Sequence, residues 1–454
     1  MYSKYFNWTH VSLLFSVVHI ILGCINGCVS DLDCQLNGIC EKNKCICDRA
    51  WTGQDCGFLD LLPAPNHVSF HGPNENSTSW GGSVLSVPSS WIRSEIGCKT
   101  KVLQENEMTY VMYVAEMVNG CGLRDWKTNS AVAVATSPIP EGPYKRSHQI
   151  IPTWAHNPQG IHVVENDENG NSRNIWVVFT LGDGDRQPVN GPVKDCEVLN
   201  TPKSKYTPYL KHEIISLPKS SGRMTYASPN SSGNTTVYFT LHYSKDTPLG
   251  PFQSITAKIV DFPVEYDFPG NWNPAPVVLP DGRVRVMVHT NYPLQWTGGV
   301  IVEAANWRGP YHPITKDVTF CTKCQEDPFL WIDHRGHWHA LYHKMFDPIK
   351  IDSEEYYLYD NYDGHHDKNH SNPIPSPGWA GGHAYSIDGL NWSNITRCYN
   401  TSVRFEDGTT KELLRRERPK LIFDPKDGVT PTHLVNGVLE EEHGTFTLVT
   451  PLRI

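Results

Sequence analysis

The chain has 454 residues, more than one ordinary compact core accommodates, so a large domain with an appended unit is expected. Charged residues make up 19 % of it and the formal net charge is -9, which excludes the basic surface that a nucleic-acid partner requires. Gly (35), Pro (34), Trp (14) and Tyr (20) are abundant, a composition suited to many short strands and turns rather than to helices.

The first element, residues 1–27, reads as a signal peptide. Lys4 precedes an apolar run from Val11 to Gly23, and Gly27 follows. That run is short for a membrane span, so the sequence predicts a secreted protein; the alternative is an uncleaved signal anchor that tethers it to a membrane. Of 13 cysteines, Cys24 lies at the edge of this segment, and the remainder is an even set suited to an oxidising compartment. Asn-x-Ser/Thr acceptors follow at Asn76, Asn230, Asn234, Asn369, Asn391, Asn394 and Asn400, so N-glycosylation is expected at several of them.

Next come Cys28, Cys34, Cys40, Cys45, Cys47 and Cys56. So short a stretch cannot enclose a hydrophobic core, and cross-links must hold it. Spacing alone leaves the pairing open. The spacing resembles an EGF-like domain, as do Asn37-Gly38 before the third cysteine and Trp51-Thr52-Gly53 before the sixth. The resemblance implies Cys28–Cys40, Cys34–Cys45 and Cys47–Cys56. Residues 28–56 are then a spacer or cap on the larger domain, or alternatively a contact for an extracellular protein partner.

Residues 60–454 repeat a unit of two apolar strands joined by a turn. The unit opens at His156-Asn157-Pro158, at Asn273-Pro274, at Glu326-Asp327-Pro328 and at Glu417-Arg418-Pro419, with a degenerate copy at Trp80-Gly81-Gly82. Asp281-Gly282 and Arg335-Gly336 mark hairpin turns. Gly142-Pro143-Tyr144, Gly250-Pro251-Phe252 and Gly309-Pro310-Tyr311 each follow a further strand, and Asp388 to Trp392 stands at the same place in the fourth copy. Five copies of a four-stranded unit predict an all-β fold, a five-bladed β-propeller.

These repeats resemble the five-bladed glycoside hydrolases of family 43, the arabinanases and xylosidases, and their invertase relatives. The resemblance implies that first-strand starts, second-strand ends and the loops beyond them surround one funnel. The long insertions near 183–232 and 346–378 fall on that side, where binding loops usually lie. The funnel residues are then Trp80, Glu116 and Asn119 of blade 1; His156, Asn157, Asp183 and Asp185 of blade 2; Trp272, Asn273, His289 and Asn291 of blade 3; Glu326, Asp327, His343 and His383 of blade 4; and Arg416, Glu417 and Arg418 of blade 5. Tryptophan faces and polar groups together suit a carbohydrate.

Glycosidic hydrolysis uses two carboxylates. The resemblance implies a base at the start of blade 1, an acid in blade 3 and a third carboxylate in blade 2. Here those positions hold Trp80-Gly81, Trp272-Asn273 and His156-Asn157. A relocated set of Asp327, Glu417 and Glu116 is the catalytic expectation, with a non-catalytic carbohydrate-binding protein or an extracellular interaction module as alternatives. Asp327 before Pro328 also reads as a turn former, and Glu417 among Arg415, Arg416 and Arg418 as an ion pair. No cofactor is required, and a structural calcium in the central channel is the cation to look for. Cys321 and Cys324 suggest disulfides rather than zinc, with Cys98 expected to join Cys121 inside blade 1.

Overall fold

The computed structural model describes residues 27–73, 77–93, 107–182, 191–196, 237–245, 247–262, 273–292, 295–315, 318–322, 325–344, 349–351, 354–356, 379–440 and 444–454. The signal segment, Asp183, Asp185, Trp272 and Cys98 lie outside the described residues, as do Asn76, Asn230, Asn234 and Asn369. No helix among the described residues is long and apolar enough to cross a membrane.

The N-terminal module is built from a 3-10 turn, Asp31–Cys34, and two short hairpins: β1 (Gly38–Glu41) with β2 (Lys44–Cys47), and β3 (Trp51–Thr52) with β4 (Phe58–Leu59). Its disulfides are Cys28–Cys40, Cys34–Cys45 and Cys47–Cys56, the pairing expected above.

Five blades follow. Blade 1 is β5 (Thr78–Pro88), β6 (Met108–Met117), β7 (Ser130–Ser137) and β8 (Lys145–Ile151). Blade 2 is β9 (His156–Asn166), β10 (Ser172–Leu181), β11 (Val237–Ser244) and β12 (Gln253–Ile259). Blade 3 is β13 (Ala275–Val278), β14 (Val284–Tyr292), β15 (Gln295–Ala304) and β16 (His312–Pro313), with β17 (Val318–Thr322) also on β15. Blade 4 is β18 (Gln325–Ile332), β19 (Trp338–Lys344), β22 (Trp379–Ser386) and β23 (Thr396–Asn400), interrupted by the ribbon β20 (Ile349–Ile351) and β21 (Glu354–Tyr356). After the ribbon β24 (Ser402–Arg404) and β25 (Thr410–Glu412), blade 5 is β26 (Arg415–Phe423), β27 (Pro431–Glu440) and β28 (Gly444–Pro451).

Among the described residues blade 5 has three strands of its own, and the segment after the N-terminal module lies along its outer edge. Leu61 bridges Leu452 and Phe70 bridges Thr447. The ring therefore closes by joining the start of the propeller to its last strand, which removes an open edge.

Strand alternation explains the stacking of the blades. Side chains on successive residues leave opposite faces, so each strand feeds two inter-blade cores. On β10, Ile175, Val177 and Phe179 pack with Val284, Val286 and Val288 of blade 3, while Val178 packs with Val111 and Tyr113 of blade 1. The closing seam joins Val84, Met112 and Val114 to Ile422, Val435 and Val449. That seam is tight. A Cβ on Gly437 would meet Gly81 N at 2.7 Å and the Trp80 ring at 2.9 Å. Overpacking there forces backbone to move, so Gly437→Ala should destabilise the fold by about 1–3 kcal/mol in a thermal or urea unfolding titration.

The N-terminal module sits against blades 4 and 5. Arg335 donates to the backbone carbonyls of Leu36 (2.5 Å) and Gly38 (3.3 Å) and to the Asp48 carboxylate. Thr396 Oγ1 donates to Gln35 (2.6 Å), and Tyr385 OH to Leu32 O (2.9 Å). Trp51 and Cys56 share a core with Trp331, Leu341 and Tyr399.

One expected cross-link is corrected. Cys121 pairs with Cys196, not with Cys98. The reason is a set of contacts between the blade 1 loop and the segment beyond β10. Cys196 N donates to Asn119 O (3.1 Å), Asn129 Nδ2 to Lys194 O (2.8 Å), and Lys194 Nζ to Asp125 (2.6 Å). Cys398 is buried and unbridged.

Candidate functional site at the propeller axis

The first strand of every blade begins with the same irregularity. Gly81, Asn157, Asn273, Asp327 and Arg418 occupy equivalent positions, with φ of 64°, 46°, 40°, 56° and 56°. The first-to-second-strand ladder slips at this point in blades 1, 2, 4 and 5. Asn, Asp and Gly tolerate the left-handed region; Arg gains nothing from it and is held there by its partners.

Four of the five residues in the ring carry polar side chains that meet across blades. Asn157 Nδ2 donates to Asn273 Oδ1 (2.9 Å) and Asp327 Oδ1 (3.4 Å). Arg418 Nη1 donates to Asn273 Oδ1 (2.9 Å) and to Asp327 Oδ1. The fifth position is glycine because a Cβ at Gly81 would meet the Arg418 Cβ at 2.7 Å. Lys420, only 1 % exposed, donates to Asn157 Oδ1 (2.9 Å).

Above this plug lie Glu326, His343, Glu417 and Arg415. Arg415 grips Glu417 through Nε (2.5 Å) and Nη2 (3.0 Å). His343 lies between the two carboxylates, Nδ1 4.0 Å from Asp327 Oδ2 and Nε2 3.6 Å from Glu417 Oε1. Glu326 is half-buried and receives Asn273 Nδ2 at 3.4 Å. Asp327 Oδ2, His343 Nδ1, His156 Nε2 and Arg418 Nε are all buried without a hydrogen-bond partner. Such atoms mark places where water or ligand groups belong.

The charges on these side chains are displaced from their ordinary behaviour. Burial lifts the Asp327 carboxyl above the usual range, although Arg418 pulls it down. Burial likewise lowers the Lys420 ammonium. Burial would raise Glu417 too, but Arg415 and His343 outweigh it and hold the carboxylate at about 2. Burial keeps His156 well below the ordinary histidine value, with Arg418 and Lys420 adding to the effect.

Glu326, Asp327 and His343 bring ligand atoms within 4.8 Å of one another. Calcium takes six to eight oxygen ligands. Two carboxylates and an imidazole, with a guanidinium already on Asp327, do not fit that ion.

No protein-family model matches the sequence, and no curated protein matches it. Solved structures similar in chain path include a family 117 glycoside hydrolase of Zobellia galactanivorans, at 11% identity and TM-score 0.43, covering 89% of this chain and 91% of that one. A GH43 enzyme of Xanthomonas citri complexed with xylose has 9% identity and TM-score 0.39, with coverage of 86% and 89%. An endo-arabinase of Bacteroides thetaiotaomicron has 11% identity and TM-score 0.36, with coverage of 87% and 98%. The axial chemistry therefore rests on this chain's own residues.

Of the expected funnel residues, Asn157, Asn273, Glu326, Asp327, His343, Glu417 and Arg418 meet at the axis, and His156 borders it. Four do not. Trp80 is 1 % exposed, wedged between blades 1 and 5 beneath Arg415, so its faces are closed to a ligand. Arg416 points between blades 4 and 5, donating to Asn436 (2.9 Å) and Asn400 O (3.2 Å) and lying over Tyr399. His383 is buried under the N-terminal module, its ring 4.7 Å from Trp51 and its Nε2 3.0 Å from His339 Nδ1. Glu116 forms a two-point ion pair with Arg146 of the outer strand of its own blade, at 2.6 and 2.8 Å. The side chain of His289 lies outside the described residues. His339 is buried within its blade against Trp331 and His383. Arg415 is the ion-pair partner of Glu417 that the sequence suggests, and one axial residue, Lys420, escaped the sequence reading. A lysine inside the apolar run Leu421-Ile422-Phe423 was the available signal, because buried ammonium groups require partners.

Proposed function

We propose that the protein is an extracellular carbohydrate-binding propeller that holds a neutral glycan in the axial basin without cleaving it. The observation that carries this reading is the pair of arginine clamps. Asp327 is fully buried against Arg418, and Glu417 is held ionised by Arg415. A carboxyl out of reach cannot protonate a leaving oxygen, and one at about 2 is a poor base near neutrality. The basin meanwhile keeps Glu326 and His343 for hydroxyl groups. Its carboxylates (Glu326, Asp327, Glu417) are matched by cations (Arg415, Arg418, Lys420), so a neutral polyol suits it better than a phosphate or a cation. Four disulfides support a secreted location, and the N-terminal pairing supports an EGF-like module. Asn391 and Asn394 are exposed and are the described acceptors best placed for glycosylation.

Hydrolysis is the second reading, favoured by one observation. Burial raises Asp327 while Arg415 lowers Glu417, the split that an acid and base require. One experiment separates the two. The purified secreted chain is screened on a panel of neutral glycans for binding and for release of reducing ends. Binding should be saturable, weakened by Glu326→Gln and His343→Ala, unchanged in Glu116→Gln, and unaccompanied by release. Release of reducing ends that disappears in Asp327→Asn establishes the second reading instead. Failure to bind any glycan removes both.

A further inference from the structure

A cavity of about 400 Å³ lies at the seam between the N-terminal module and the propeller. Asn37, Asp48 and Trp51 line it from the module, Trp331 and Asp333 from blade 4, and Asp427 from blade 5. It opens beside the turns that end β18 and β26, at the opposite end of those strands from Glu326 and Glu417. No residue is shared with the axial basin.

We infer that this seam cavity binds a guanidinium or alkylammonium group, the head of a basic side chain or small molecule. One buried acceptor in its walls lacks a donor, while Asp48, Asp333 and Asp427 are already held by neighbouring N–H and O–H groups. Asn37 is 1 % exposed; its Nδ2 is engaged by Cys56 O (3.1 Å) and His383 Nδ1 (3.4 Å), while its Oδ1 has no partner. A buried acceptor of that kind calls for an N–H or O–H from a ligand. Three carboxylates, Asp48, Asp333 and Asp427, surround the space. Arg335 is fully engaged by two backbone carbonyls, Asp48 and Asp333, and the other nearby cation, Arg49, is exposed. His339 and His383 are buried and kept neutral. Burial still raises Asp48 despite Arg335, so the carboxylate is under-compensated, and a further cation would relieve it. An anion is excluded by the three carboxylates. Trp51 and Trp331 also line the space, but Trp331 is stacked by His339 and Phe329, so charge rather than ring stacking selects the cation.

The test uses the full secreted chain and ethylguanidinium, titrated by calorimetry, with ethylurea as the neutral isostere. Ethylguanidinium should bind at one site and ethylurea should not, a comparison that needs no variant. Asp427→Asn keeps an oxygen for the turn contacts to Val429 and Thr430. It and Asp48→Asn should each weaken binding about tenfold or more, the scale of a charge-assisted hydrogen bond. Glu326→Gln should leave it unchanged, which keeps this result separate from glycan binding at the axis. An arginine-containing tetrapeptide that binds more tightly than ethylguanidinium assigns the natural group to a polypeptide, and equal affinity assigns it to a free small molecule. Absence of saturable binding, equal binding of ethylurea, or indifference to both aspartate variants overturns the inference.

Discussion

Arg418→Met should lower the stability of the propeller by about 3–5 kcal/mol, and Arg418→Met combined with Asp327→Leu should restore most of that loss. The guanidinium is 7 % exposed and the carboxyl is not exposed at all. Removing the guanidinium alone leaves Asp327 buried with Asn157 Nδ2, at 3.4 Å, as its remaining donor. A buried carboxylate in that position either stays charged with Lys420, which is itself bound to Asn157, as its remaining nearby cation, or takes up a proton, and both options favour the unfolded chain. Methionine retains the length of the side chain, so the loss reads out charge and hydrogen bonding rather than a cavity. In the double variant both polar partners are gone and apolar groups fill the axis, an exchange that is often near neutral. Urea unfolding of the three proteins measures the effect. A single variant that loses less than about 1 kcal/mol would place Arg418 among weak, solvent-screened pairs and remove the reason to regard the axis as a sealed plug.

That plug also shows where sequence reasoning stops. The five blades were legible because hairpin turns and apolar alternation repeat along the chain, and neither depends on distant contacts. The ring of first-strand starts was legible too, since His156-Asn157-Pro158, Glu326-Asp327-Pro328 and Glu417-Arg418-Pro419 stand out in the sequence. The direction of individual side chains was not. A bulge at each start breaks the period of two, so neighbouring residues exchange faces there. Arg416 consequently points between blades while Glu417 and Arg418 stay at the axis. Trp80 was misread because what covers it, Gly437, comes from the last blade and meets it only on ring closure. His383 required the register of β22, in which it lies opposite Leu341 and faces the seam under the N-terminal module. No local pattern reveals that the module docks there. The Cys121–Cys196 bridge has the same character, joining residues 75 apart through contacts made by the folded loops.

Docking of the module on buried histidines carries the other large expectation, a loss of stability in acid. His156, His242, His339, His343 and His383 are each less than a tenth exposed, and burial lowers the pKa of all five. In the unfolded chain they titrate near 6.5. Below that value the unfolded state binds more protons than the native one, so stability falls as pH falls from about 6.5 toward the native values. His242, held at about 4, contributes roughly 3 kcal/mol across that window. Glu417 adds to the loss below its ordinary range, because its native value is depressed to about 2. Asp327 and Asp48 work in the opposite sense, since a raised pKa makes the native state the better proton acceptor above about 4, but they offer two protons against five. The seam should fail first. His339 and His383 stack at 5.3 Å and share one hydrogen bond, so two imidazolium charges cannot both be held there, although Asp333 lies 3.5 Å from His339. Thermal unfolding between pH 7.5 and pH 4.5 should show a steady fall in Tm, with a shallower slope for His383→Gln. A Tm that stays level across this range would show that the histidines are hydrated in solution and that the module does not cover His383.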